Sequence, residues 1–88
     1  MKIEISDDVL FQEVGGETVL LDLGSEQYFG LDAVGTRIWQ LLGEGAGPES
    51  MVEILLAEYN VERETLVDDV KRLLDDLAAA GLVRLADA

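Results

Sequence analysis

Apolar and polar positions alternate along the first third of this chain and then switch to a helical period. Ile3 and Ile5 alternate with Lys2 and Glu4 before the turn-like cluster Ser6-Asp7-Asp8. Val9 to Val14 reads as a strand, and Gly15-Gly16 separates it from a second strand, Thr18 to Leu23. Two glycines between apolar runs supply the positive-φ residues that a tight hairpin needs. In the second strand Val19, Leu21 and Leu23 share one face, expected to be fully core, while Leu20 and Asp22 lie on the other, expected to be only partly core. Gly24-Ser25-Glu26 forms the next turn and Gln27 to Leu31 a third strand. The pattern predicts a three-stranded antiparallel meander, about the smallest sheet that is stable once a helix covers one face.

At Asp32 period two gives way to period 3.6. Asp32 suits a helix N-cap, because its carboxylate accepts from the free amides of the next turn. Val34, Ile38, Leu41 and Leu42 fall on one face of this first helix. Trp39 broadens that face and is expected in the core, and Gly43 is expected to end the helix in the left-handed conformation. Gly45-Ala46-Gly47 reads as a flexible link, and Pro48 suits the first turn of a second helix. Met51, Val52, Leu55, Leu56 and Tyr59 form its stripe, with Asn60 as terminator. A third helix is expected from about Glu62 to Ala80 with Gly81 as its stop, followed by an extended tail, Leu82 to Leu85, against the sheet. On a helical wheel Ala80, Leu73, Leu66, Leu77, Val70, Leu74, Val67 and Ala78 span an arc of about 160°. One flat core needs only about 100°. The surplus leaves two readings: a second neighbour, or a small sheet and two helices wrapped around this helix. Lys71 lies at the rim beyond Val67, Leu74 and Ala78, and Asp69 and Asp76 lie at the other.

The 88 residues predict a single domain spanning 1–88. Nearly half of them are apolar, which rules out a disordered acidic tail. The net charge of −13 changes the picture more. Nucleic-acid binding rests on Lys and Arg neutralising phosphates, and this surface repels phosphates. Anionic membranes are disfavoured for the same reason. The field steers a cationic partner instead. No run is apolar and long enough to span a bilayer, and MKIEISDD has no signal-peptide character, so the expected compartment is the cytoplasm.

Catalytic chemistry finds little to work with. Histidine and cysteine are absent, which removes the commonest general base, the thiol nucleophile and thiolate metal sites. Ser6, Ser25 and Ser50 have no activating partner nearby in sequence. The acidic residues do not follow calcium-loop spacing. The pairs Asp68-Asp69 and Asp75-Asp76 sit on the expected solvent side of the third helix. The glycines lack phosphate-loop spacing. The expectation is a protein without catalytic residues, cofactor or metal.

Several segments, in their order and spacing, resemble the PqqD-like family of leader-peptide recognition domains. Ile5-Ser6-Asp7-Asp8-Val9 looks like that family's opening turn, and Val19-Leu20-Leu21-Asp22-Leu23 like its second strand. Tyr28-Phe29-Gly30-Leu31-Asp32 stands where the family has an aromatic, a Gly and a Leu-Asn pair, with Asp here replacing Asn as the helix cap. Gly35-Thr36-Arg37-Ile38-Trp39-Gln40-Leu41-Leu42 is similar to its helix-opening signature, and Gly81-Leu82-Val83 to its close. The similarity runs from about Ile5 to Val83.

The resemblance implies an α+β, winged-helix-like fold of three antiparallel strands followed by three helices. It implies a non-catalytic role: the leader of a ribosomally made precursor peptide adds as a further strand beside the third strand, in a groove walled by the third helix. The expected leader-binding residues are Gln27, Tyr28, Phe29 and Gly30 on the strand, with Val67, Val70, Lys71 and Leu74 on the helix. The Val67 flank is taken because its arc extends further. In look the chain is nearest to the stand-alone recognition proteins of lasso peptide biosynthesis, which hand a leader to a cysteine leader peptidase and then a cyclase. An alternative within the family is the pyrroloquinoline quinone chaperone, which presents its precursor to a radical S-adenosylmethionine enzyme. Outside the family, a winged-helix transcription regulator shares the architecture but needs a basic recognition helix, absent here. A purely structural subunit would show no affinity for free peptides.

Overall fold

Gly15 and Gly16 adopt φ of +62° and +86°, the conformation of a two-residue hairpin turn whose twist matches its strands. A computed structural model describes residues 2–86 of this protein; residues 1, 87 and 88 of the expected domain lie outside the described residues. The elements run β1 (Lys2–Ile5), β2 (Val9–Val14), β3 (Glu17–Asp22), β4 (Gln27–Leu31), α1 (Ala33–Gly43), α2 (Pro48–Glu58), α3 (Arg63–Ala79) and β5 (Val83–Ala86). β2, β3 and β4 form a three-stranded antiparallel sheet in that order, so both β2 and β4 are edges. The fold is α+β, as expected. The tail does not join this sheet: β5 pairs antiparallel with β1, Ile5 opposite Val83, in a separate two-stranded sheet.

Opposite residues in the register share a face. Phe11, Leu20 and Phe29 form one row and Leu10, Leu21 and Tyr28 the alternate row. The helices cover the first of these faces. Leu20 and Thr18 are buried, whereas Val19 is 44% exposed and Leu23 49%. The expected core face of the second strand is therefore reversed. The reason is tertiary. α1 returns over the side that carries Thr18, and Thr18 Oγ1 donates a 2.8 Å hydrogen bond to Thr36 Oγ1 of that helix. With its hydroxyl satisfied, a threonine can occupy a core position.

Asp32 caps α1 as its position in the sequence predicts, its Oδ1 accepting from the Gly35 amide at 2.8 Å. A Cβ at Gly35 would stand 3.2 Å from both that oxygen and Leu31 Cβ, so the close approach of strand end and helix start uses the missing side chain. Two helix ends differ from the sequence expectation. The left-handed residue after α1 is Gly45 (φ +86°), with Glu44 as the cap, not Gly43. α2 stops at Glu58 with Tyr59 as its cap, one residue before Asn60. Pro48 opens α2 and Gly81 follows α3 in the left-handed region, both as expected.

The buried residues form one apolar cluster that includes Leu20, Leu31, Ile38, Trp39, Met51, Leu55 and Leu77. Trp39 is 2% exposed and meets the Phe11 ring edge-on, with centroids 5.7 Å apart. Its buried Nε1–H meets no acceptor among the described residues. Arg37 clamps α1 to the end of α2 through Nε–Oε1 and Nη2–Oε2 bonds to Glu58 of 2.8 and 2.7 Å.

Candidate functional site

The open edge of β4 is the natural starting point. A two-residue turn makes Val14 and Glu17 a mutually hydrogen-bonded pair, so Gln12–Val19 and Leu10–Leu21 are bonded pairs as well. The 2.8 Å bond from the Leu23 amide to the Asp8 carbonyl continues that alternation. On β3 the backbone groups of Thr18, Leu20 and Asp22 therefore face β4, where their opposites are Leu31, Phe29 and Gln27. Tyr28 and Gly30 are left with N–H and C=O groups pointing away from the sheet. A strand laid beside β4 finds its donors and acceptors at these two residues.

Beyond the end of β4 lies a concavity of about 500 Å³, between that strand, α1 and α3. Gly30, Leu31, Val34, Gly35 and Ile38 line one side and Leu73 the other; Asp32, Asp69, Arg72 and Asp76 also line it. Arg72 pairs with Asp69 one turn before it at 2.5 Å, so the charge contributed by α3 is net acidic. Leu31 and Ile38 are buried, and Leu73 is half-buried. The concavity thus combines apolar side chains with a largely polar, carboxylate-bearing lining.

The structure divides the expected site residues. Gln27, Tyr28, Phe29 and Gly30 lie together on β4, with Tyr28 73% exposed. Val67, Val70, Lys71 and Leu74 instead line a second concavity of about 630 Å³, with Ile3 of β1 and Pro48 and Val52 of α2. No β4 residue lines that concavity. The broad apolar arc of α3 resolves into a buried central stripe, Leu66, Val70, Leu74 and Leu77, with two flanks. Val67 on one flank faces α2, and Leu73 on the other faces the end of β4. The helical pattern puts Asp69 and Asp76 on the Leu73 rim, but a helical wheel carries no information on which rim meets which neighbour.

Among the described residues, no group of three or more His, Cys, Asp or Glu side chains stands close enough to hold a metal ion. Nor is any helix of the described residues long and apolar enough to cross a membrane.

The domain is small and α+β, and its sheet leaves a five-residue edge open next to a concavity lined by apolar and charged side chains. The chain belongs to the PqqD family: the model of that family, described as coenzyme PQQ synthesis protein D, matches residues 17–83. Among solved structures it is similar to TbiB1 in complex with the TbiA(β) leader peptide. That likeness has 47% identity and a TM-score of 0.89, over 96% of this chain and 99% of the other. It is also similar to a lasso peptide synthetase B1 complexed with the leader peptide, at 26% identity and a TM-score of 0.87, over 97% of this chain and all of the other. No curated protein matches the chain significantly.

Proposed function

We propose that this protein captures the leader of a ribosomally made lasso peptide precursor by strand addition at β4. It then delivers that precursor to a leader peptidase and a cyclase, with no chemistry of its own. The observation that carries this reading is the open β4 edge beside the Leu31–Ile38–Leu73 concavity, in a chain 47% identical to a protein solved with a leader peptide. That identity and its coverage favour the lasso branch over the pyrroloquinoline quinone branch of the family.

Tyr28 and Gly30 offer four outward backbone groups. Each hydrogen bond contributes about 0.5–1.5 kcal/mol net, so four supply a few kcal/mol. Micromolar binding requires about 8 kcal/mol. The remainder comes from leader side chains that drop off the strand into the concavity, at about 1.5–3 kcal/mol for each large apolar group buried. The strand thereby sets register and the concavity sets selectivity.

The test is calorimetric titration of the TbiA(β) leader peptide, the one seen with the 47% identical TbiB1, into wild type and Tyr28→Pro. Proline at position 28 removes an outward N–H and leaves the β3–β4 bonds in place. Binding to wild type with loss in the variant, at unchanged helix content, is the expected result. Equal binding by both would exclude strand addition at β4.

A further inference from the structure

β2 is the other edge of the same sheet, and its composition is unusual for an edge. Natural edge strands are blunted with charged residues, proline, bulges or a covering element. Of these β2 has only Glu13, whose carboxylate accepts from Gln40 of α1, and five of its six residues are exposed. Its apolar side chains are open on both faces, Leu10 (56%) and Val14 (62%) on one and Phe11 (57%) on the other. By the alternation that frees Tyr28 and Gly30 on β4, the backbone groups of Val9, Phe11 and Glu13 point outward from β2.

Charge selects the occupant. Residues 3–36, which contain the whole three-stranded sheet, include eight acidic residues and no lysine or arginine. A second copy pairing β2 to β2 would set two chains of net charge −13 against each other. A strand bearing lysine or arginine meets the opposite field.

We infer that the outer edge of β2 is a second strand-addition site, which takes a basic strand of the leader peptidase while β4 holds the leader. This rests on the leader-binding reading, because a peptidase that acts on a held leader has to dock where the leader is not. Strands lie about 4.8 Å apart, so the leader and the peptidase strand would sit about 19 Å apart as the outer members of a five-stranded sheet.

The experiment uses a purified cysteine leader peptidase of lasso peptide biosynthesis, its affinity measured by calorimetry with the leader present. Glu13→Pro removes an outward N–H while the β2–β3 bonds remain, and Glu13→Gln beside it controls for the lost carboxylate that accepts from Gln40. Leu10→Lys/Val14→Lys keeps every backbone group and installs the charges that guard ordinary edges. The proline and lysine variants are both expected to bind the leader like wild type and to lose the peptidase at least tenfold. In wild type, amide exchange at Val9, Phe11 and Glu13 is expected to slow when the peptidase is added. Wild-type-like peptidase affinity in both variants, no peptidase binding by wild type, or self-association that the variants abolish would each overturn the inference. Failure of wild type to bind the leader would instead overturn the proposed function.

Discussion

Thr18 and Thr36 are both buried, and the hydroxyl of Thr18 donates to that of Thr36 over 2.8 Å, joining β3 to the first turns of α1. This bond orients the sheet: it belongs to the face that α1 covers and leaves Val19 on the opposite side. Removing one partner leaves a buried hydroxyl without its bond, whereas removing both leaves none. Thr36→Val is therefore expected to cost about 1–3 kcal/mol, and Thr18→Val/Thr36→Val less than the sum of the single changes. Urea unfolding of the two singles and the double measures the coupling.

Glu26 adopts φ +61° in the turn between β3 and β4, a left-handed conformation that costs a residue with a Cβ about 1–2 kcal/mol. The flexibility glycine adds to the unfolded chain offsets part of the gain. Glu26→Gly is expected to stabilise the protein by about 0.5–1 kcal/mol and to raise the thermal midpoint by a few degrees. A calorimetric scan showing a lower midpoint would contradict this reading of the turn.

What could be read in advance follows from the range of the physics. The Asp32 cap, the Gly15-Gly16 turn and the Gly81 stop are settled by a few neighbouring residues, and each appears as expected. The inward face of β3 is not local. Val19, Leu21 and Leu23 are the more apolar set, yet Thr18 and Leu20 are inside because of where α1 returns. The pairing of β1 with β5 joins opposite ends of the described chain, which periodicity cannot reveal. That β4 is an open edge was legible because the strand comes last in the meander. Which flank of α3 lies towards β4 was not, because the apolar arc has two flanks and only tertiary packing assigns α2 to one and β4 to the other.

The Arg37–Glu58 pair predicts a signature in acid. The hydrogen bonds from Arg37, and then its charge, hold the Glu58 carboxyl below the usual glutamate range. A carboxyl lowered in the folded state contributes stability above its unfolded pKa of about 4.3, and that contribution disappears as pH falls through the folded value. The stability difference between wild type and Glu58→Gln is expected to hold steady from pH 7 to about 5 and to shrink below about pH 4. Urea midpoints of both proteins across that range test it, and the subtraction cancels the relief of general repulsion that acid brings to a chain of charge −13.

The two flanks of α3 give the decisive test of where a leader lies. Leu73 lines the concavity at the end of β4, and Val67 lines the one against α2. Neither belongs to the buried stripe: Val67 is 41% exposed and Leu73 half-buried, so a carboxylate at either position remains in reach of water. Leu73→Asp puts a charge where a leader side chain has to be desolvated, and is expected to weaken leader binding about tenfold or more, the loss of one apolar anchor. Val67→Asp adds the same charge about 120° away on the helix and is expected to leave the affinity within about twofold. Calorimetric titration of the same leader into both variants, with thermal midpoints recorded alongside, separates lost contacts from lost fold. The opposite ranking would move the leader to the α2 side of α3 and restore Val67, Val70, Lys71 and Leu74 as its wall.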